Sequence, residues 1–400
     1  MWYGSVKVMA LALLWCGLCA AAPANTTAGT QGQLAQNAPA EPLVPNQLTP
    51  LPVVTRMALL LPLRSPTLGA AAGAVRAGVL AAHEREPTGV TLTVLESGEA
   101  ASELLPSYAA AVERFDLVIG PLSRADVTAV AQSGNVSRPT IALAQPQPQP
   151  RTPGQGGMEE LPLSPRMLVV GLSLEDEARQ VADWIGTVEP MGMVFVISSG
   201  IAWQERAARA FALQAQAIGL RSQSMELSLV SGALSPSGLV QLQQRITAER
   251  PQALFVAFNA SQARQLRAAI GDEVPLYGTS QLNPLTPDGW ATAEPANEMN
   301  GTRLVDIPWQ LQPDHPAVMV YPHPLVGAGE KRSADLERLY ALGIDAYRVA
   351  REVAAGNTNF GIDGVTGKLS VSFGAGSAGF QRSETQGVYR DGKVWPLAAP

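Results

Sequence analysis

Residues 56–83 read RMALLLPLRSPTLGAAAGAVRAGVLAAH, and the fold is decided there. Met57 to Leu63 is a short apolar run with turn signals on both sides, as in a strand buried on both faces of a parallel sheet. Arg64, Ser65, Pro66 and Thr67 follow as a polar loop. Beyond Gly69, Val75, Gly78, Val79 and Ala82 fall at i, i+3, i+4 and i+7, a helical stripe of small residues that can lie close on its sheet. Strand, loop and helix in this order predict an α/β core. The strand-to-helix loop opens at the carboxyl end of the strand, where such folds place a ligand crevice, so residues 64–67 are the first place to look for function.

Outward from this unit the pattern repeats. Residues 90–95 (VTLTVL), 116–120 (DLVIG) and 139–144 (PTIALA) read as strands, with helical patterns over 101–114 and 125–132 between them. Such alternation is what right-handed βαβ crossovers and a parallel sheet require. Segment 145–162 (QPQPQPRTPGQGGMEELP) interrupts with Pro, Gln and Gly that neither pack nor sustain a helix, and reads as a solvated loop beside the crevice. A second alternation follows. Strands are expected over 167–171, 193–197, 224–229, 253–258 and 275–279, and helices over 202–218, 237–249 and 261–270. Ser173 is a good N-cap for a helix whose first turn holds Glu175 and Asp176, so that acidic cluster reads as capping. Two successive blocks predict two lobes. Beyond them, 283–300 is irregular, 334–354 is a long helix, and 368–373 with 387–394 read as paired strands.

The chain has 400 residues, enough for two domains, and 46% apolar against 16% charged residues makes its bulk globular. A net charge of -6 without any Lys/Arg run excludes non-specific nucleic-acid binding. Residues 1–24 read as an export signal, with Lys7, the apolar run Val8 to Leu18, and small residues before Asn25. That run is too short for a comfortable membrane span. Residues 25–55, rich in Ala, Gln, Asn, Thr and Pro, read as a disordered linker. Both cysteines, Cys16 and Cys19, lie in the leader. Cys19 is the lipidation candidate, with Leu18 where a small residue is expected; on the alternative reading both cysteines are apolar leader residues. Either way no disulfide framework exists, and the mature protein is expected to be exported and soluble, or held at a membrane by lipid.

The three histidines, His83, His315 and His323, form no H-E-x-x-H motif, and no G-x-S-x-G elbow or phosphate loop occurs. His315 and His323 lie near Asp306 and Asp314 without ligand spacing. No metal, cofactor or enzymatic role is therefore expected. What remains is a crevice lined by Arg64, Ser65, Thr67, Ser97, Ser123 and Gln145 from one lobe, and by Ser198, Ser199, Trp203, Asn259 and Ser280 from the other. Such hydroxyls and amides with an aromatic wall suit a small polar ligand, although serines also cap helices and make turns.

MALLLPLRSPTLGAAAGAVRAG resembles the opening of type I periplasmic binding proteins, and DLVIGPLSRADVTAVAQ resembles their third strand, loop and helix. Within that superfamily GLSLEDEARQVADW, VPLYGTSQ, NEMNGTRLVDIPWQL and RLYALGIDAYRVA are similar to the LppC family. The resemblance covers residues 56–395. It implies a two-lobed type I periplasmic-binding-protein-like fold, each lobe a parallel sheet flanked by helices, with residues 56–168 and 306–358 in lobe 1 and 169–305 and 359–397 in lobe 2. Three hinge crossings are implied, near 165–172, 302–309 and 356–368. The resemblance further implies a non-enzymatic regulator that contacts a bifunctional penicillin-binding protein and stimulates peptidoglycan synthesis. Better-known relatives carry an N-terminal helical-repeat domain, where this sequence has the 25–55 linker. The competing expectation is a solute receptor that catches an amino acid by lobe closure. That would need a charged pair; Arg64 could take the carboxylate, but the sequence shows no acidic partner at the strand ends.

Overall fold

The structure, a computed structural model, describes residues 54–150, 158–159, 161–285, 295–324, 333–374, 376 and 378–397. The expected leader with Cys19, and nearly all of the 25–55 linker, lie outside them. The first block is β1 (Thr55–Leu61), α1 (Gly69–Arg85), β2 (Val90–Glu96), α2 (Ala101–Arg114), β3 (Leu117–Ile119), α3 (Arg124–Gln132), β4 (Thr140–Ala142), a small ribbon of β5 (Gln149–Pro150) and β6 (Met158–Glu159), and β7 (Met167–Val169). The second is α4 (Leu174–Val188), β8 (Met193–Ser198), α5 (Ala202–Ala217), β9 (Arg221–Glu226), the hairpin β10 (Leu229–Val230) and β11 (Ala233–Leu234), α6 (Pro236–Glu249), β12 (Ala253–Val256), α7 (Ala260–Ile270), β13 (Leu276–Gly278) and β14 (Arg303–Asp306). The chain closes with α8 (Pro308–Leu311), α9 (Pro316–Met319), α10 (Ala334–Ala354), β15 (Asn359–Asp363), β16 (Lys368–Phe373), β17 (Ala378–Ser383), β18 (Thr385–Arg390) and β19 (Lys393–Pro396).

Two sheets organise these elements. The first is parallel throughout, in the order β2-β1-β3-β4-β7. In β1, Met57, Leu59 and Leu61 join the core shared with α1 and α10, while Ala58 and Leu60 join the core on the α2 side. All five are fully buried, so the unbroken apolar run of the sequence reflects a strand covered on both faces. The second sheet has the order β19-β18-β14-β13-β12-β8-β9, parallel from β9 to β14 and completed by the antiparallel hairpin β18–β19.

The small-residue stripe of α1 meets more than its own sheet. A Cβ at Gly78 would collide with the Tyr340 carbonyl of α10, and one at Gly343 of α10 would collide with the Val75 carbonyl of α1. The two backbones cross in contact, which any larger side chain would prevent.

Four expectations need correction. Residues 359–383 do not belong with the second lobe: β15, β16 and β17 form a separate antiparallel sheet whose Leu369, Val371, Phe360 and Ile362 pack into the first core. The third crossing therefore lies at Glu384, between β17 and β18, and not near 356–368. Residues 368–373 and 387–394 do not pair with each other; the first lies between β15 and β17, while the second folds as β18–β19 and adds to the second sheet. The 145–162 insertion is not only loop, since β5 and β6 pair antiparallel within it.

Candidate functional site

The strand-end loops of the first sheet are occupied with local work. Ser65 Oγ accepts from the amides of Thr67 at 3.2 Å and Leu68 at 2.9 Å, steering the chain into α1. Thr67 donates its hydroxyl to Glu99. Ser123 caps α3 by accepting from the Asp126 amide at 3.1 Å. Ser97 is buried, its amide donating to the Leu61 carbonyl at 3.0 Å. Gln145 is half-buried at the end of β4. Arg64 stands 86% exposed and pairs with Glu96, at the end of β2. An acidic partner at the strand ends thus exists, contrary to the sequence expectation, but it is already committed to the arginine.

In the second sheet Ser199 and Asn259 belong to one relay, buried at Ser199, Gln204 and Gln262 and exposed at Asn259. Ser199 donates its hydroxyl to Gln204 Oε1 at 2.6 Å, and Gln204 Nε2 donates to Gln262 Oε1 at 2.7 Å. Gln262 and Asn259 then complete a capping box at the start of α7. Ser198 is buried and Trp203 half-buried beside this relay in sequence. The expected crevice residues are thus largely engaged in shaping loops.

The densest polar chemistry lies where the chain passes between the sheets. Arg338, on α10 of the first core, is 5% exposed, and Asp306, at the end of β14, is fully buried. The guanidinium grips Asp306 through Nε at 3.0 Å and Nη2 at 2.7 Å. It also donates to the Ser280 and Asn283 carbonyls at 3.1 and 2.8 Å, and to Asp335 at 3.0 Å. A two-pronged Arg–carboxylate pair with its remaining donors filled is the geometry in which a buried ion pair holds rather than costs. Burial opposes the guanidinium charge, but Asp306 outweighs it and holds the Arg338 pKa above its ordinary value.

Around this weld stand Glu177 of α4, Arg382 of β17 and Glu384. Ser280 reaches Glu177 with its amide at 2.7 Å from Oε2 and its hydroxyl at 3.0 Å from Oε1. Burial pushes the Glu177 carboxyl up to about 8, Asp306 adding to the rise while the Ser280 amide and Arg338 oppose it. Burial likewise raises Glu384 well above the carboxylate range, with Glu177 reinforcing it. Arg382 donates to the carbonyls of Val170 at 2.6 Å and Gly171 at 3.0 Å and to Thr366 at 3.1 Å, while the Glu384 amide donates to Gln180 at 2.8 Å. All three crossings are thereby tied together. Of the expected site residues only Ser280 belongs to this cluster.

Two further features border the junction. Glu175 Oε1 lies between Arg124 of α3 at 3.1 Å and Arg206 of α5 at 2.9 Å, an ion triad linking the two sheets' helices. The acidic first turn of α4 thus does more than cap: Ser173 accepts from the Asp176 amide as expected, but Glu175 and Glu177 each serve a tertiary contact. A cavity of about 850 Å³ opens beside Arg338, lined by Asn259, Ser261, Arg264, Gln281, Asn283 and Asp335 among others. Its walls mix amides and hydroxyls with the charged Arg264, Asp335 and Arg338 and with apolar Ala260, Pro284 and Ala334, and it includes one expected crevice residue, Asn259. Among the described residues no group of His, Cys, Asp and Glu could hold a metal ion. His323 packs against Trp309 with ring centroids 5.0 Å apart, His315 caps α9, and Asp306 is spent on Arg338. No helix among them is long and apolar enough to cross a membrane.

The family model described as "LppC putative lipoprotein" matches residues 33–375. Among solved structures, one described as a "putative branched-chain amino acid ABC transporter" from Chromobacterium violaceum is 32% identical, with a TM-score of 0.65, and the match covers 84% of this chain and 100% of that one. The C-domain of LpoA from Haemophilus influenzae, described as a regulator of PBP1A, is 18% identical with a TM-score of 0.64, covering 86% of this chain and 100% of that domain. Against full-length LpoA from the same organism the identity is 18% and the TM-score 0.63, and the match covers only 59% of that longer protein. No curated protein matches the sequence. The architecture is a two-lobed type I periplasmic-binding-protein-like fold, and with the family model matching most of its length, the chain belongs to the LppC family.

Proposed function

We propose that the chain is a non-enzymatic envelope protein that regulates a penicillin-binding protein by direct contact and so promotes peptidoglycan synthesis. The LppC match over residues 33–375 carries this reading, and the likeness in fold to the C-domain of a PBP1A regulator supports it. The molecule's own chemistry agrees. A solute receptor works by lobes that open and close on a ligand, whereas here Arg338 ties α10 of one lobe to the strand ends of the other through a fully buried carboxylate. The place of action is the periplasm, with Cys19 as the point of attachment to the outer membrane if the leader is lipidated. No nucleic acid and no cofactor enter this role.

The 32% identity to the amino-acid transporter component and the polar cavity beside Arg338 favour a second reading, a receptor for a small polar ligand such as an amino acid. A pull-down from envelope extract, paired with thermal melting in the presence of amino acids, separates the two. Recovery of a penicillin-binding protein with no melting shift is the expected result. A ligand-dependent shift without that partner would transfer the assignment to the receptor.

A further inference from the structure

The hinge holds more carboxyl groups than guanidinium groups. Glu177 and Asp306 are 4% and 0% exposed, Glu384 sits at the third crossing with its Oε2 buried and without a hydrogen-bond partner, and the cationic groups facing them are Arg338 and Arg382. The donors of those arginines are spent elsewhere. Arg338 serves Asp306, Asp335 and two carbonyls, and Arg382 serves two carbonyls and Thr366. Both Glu177 oxygens instead meet Ser280: its amide donates to Oε2, and its hydroxyl, which can donate to a carboxylate or accept from a neutral acid, lies 3.0 Å from Oε1.

We propose that Glu177 is a proton-binding switch in the hinge: in the closed weld it is a neutral carboxylic acid donating from Oε1 to the Ser280 hydroxyl, and its ionisation loosens the contact between the lobes. The proton leaves to solvent, and no other bond changes. Ionised Glu177 would place a further buried negative charge against Asp306 of β14 and beside Glu384 of the β17–β18 turn, with Arg338, Arg382 and the two Ser280 hydrogen bonds opposing. Burial and the Asp306 charge already shift the Glu177 carboxyl in this direction, up to about 8. The sign follows by linkage. An unfolded glutamate releases its proton near its ordinary 4.5, whereas the folded one keeps it to about 8. Between those values the folded state binds the extra proton, so stability falls as pH rises through that window and the loss is complete above it. The proposal does not rest on the penicillin-binding reading, since it requires no partner.

The test is urea unfolding of the full chain and of Glu177→Gln at about pH 6 and about pH 9. The carboxamide introduced by Glu177→Gln can donate to the Ser280 hydroxyl and accept from its amide as the neutral acid does, so the variant should already exceed the native chain near pH 6, where the unfolded glutamate is ionised, and exceed it by more near pH 9. The native folding constant should fall by up to about tenfold for each pH unit between these conditions relative to the variant. A variant weaker than the native chain by the same factor at both pH values would overturn the proposal, because it would mean that the carboxylate itself is the favoured form. Should Glu177→Gln fail to fold, the profile of Glu384→Gln decides: a fall in stability with pH that persists in that variant supports Glu177 as the proton site, and a flat profile in it rejects the proposal.

Discussion

The hinge and the strand-end loops of the first sheet carry similar residues and use them in opposite ways. Arg338 and Arg64 are both arginines paired with an acid, yet one is 6% exposed at its side chain and the other 86%. At the hinge each nitrogen of the guanidinium has an acceptor and the side chain is almost wholly buried, so removing its main partner strands a charge. At the loop, solvent replaces whatever is lost. The difference teaches that the rigid chemistry of this molecule sits at the junction of its sheets, while the loops that a binding protein would use to grip a ligand are solvated and self-capped.

The comparison can be broken most forcefully at Arg338. Arg338→Leu leaves the buried Asp306 charge without its cation, held only by the Asn283 side-chain amide and the Ile307 backbone amide, and should cost about 3–5 kcal/mol, read as a lowered urea midpoint; a loss below about 1 kcal/mol would erase the contrast. Gly78→Ala tests the packing that holds α10, and so Arg338, in place. Its new Cβ meets the Tyr340 backbone, and a cost of about 1–3 kcal/mol in the same assay is expected. Ser123→Ala removes the α3 cap and should cost about 1 kcal/mol, seen as a small drop in melting temperature. Arg64→Ala should change stability by no more than about 0.5 kcal/mol, because its ion pair with Glu96 is solvated. A larger effect there would show that the loop is built more tightly than its exposure implies.

The sequence made the alternation legible because buried parallel strands leave unbroken apolar runs; Met57–Leu61 is the clearest case. It hid β15 and β17, where NFGID and AGFQRS carry Gly, Asn and Asp that disfavour a strand in isolation and are recruited by pairing with β16. It hid the hinge for a different reason. Glu177 and Ser280 are 103 positions apart and Arg338 and Asp306 are 32 apart, so no local spacing announces them. The available signal was the third acid in the first turn of α4: capping accounts for Ser173 and Asp176 but leaves Glu177 facing inward on an otherwise apolar stripe with Ala178 and Val181. Ser65, Ser123 and Asn259 have the residue types of ligand contacts, yet each holds its own loop or helix start.

The most direct test of the account is peptidoglycan polymerisation by a purified bifunctional penicillin-binding protein, measured with and without the full chain and with amino acids added. The account predicts that the chain binds the enzyme and raises its rate, and that amino acids leave the effect unchanged. Absence of binding and of any rate change, or stimulation that appears only when an amino acid is present, would contradict it.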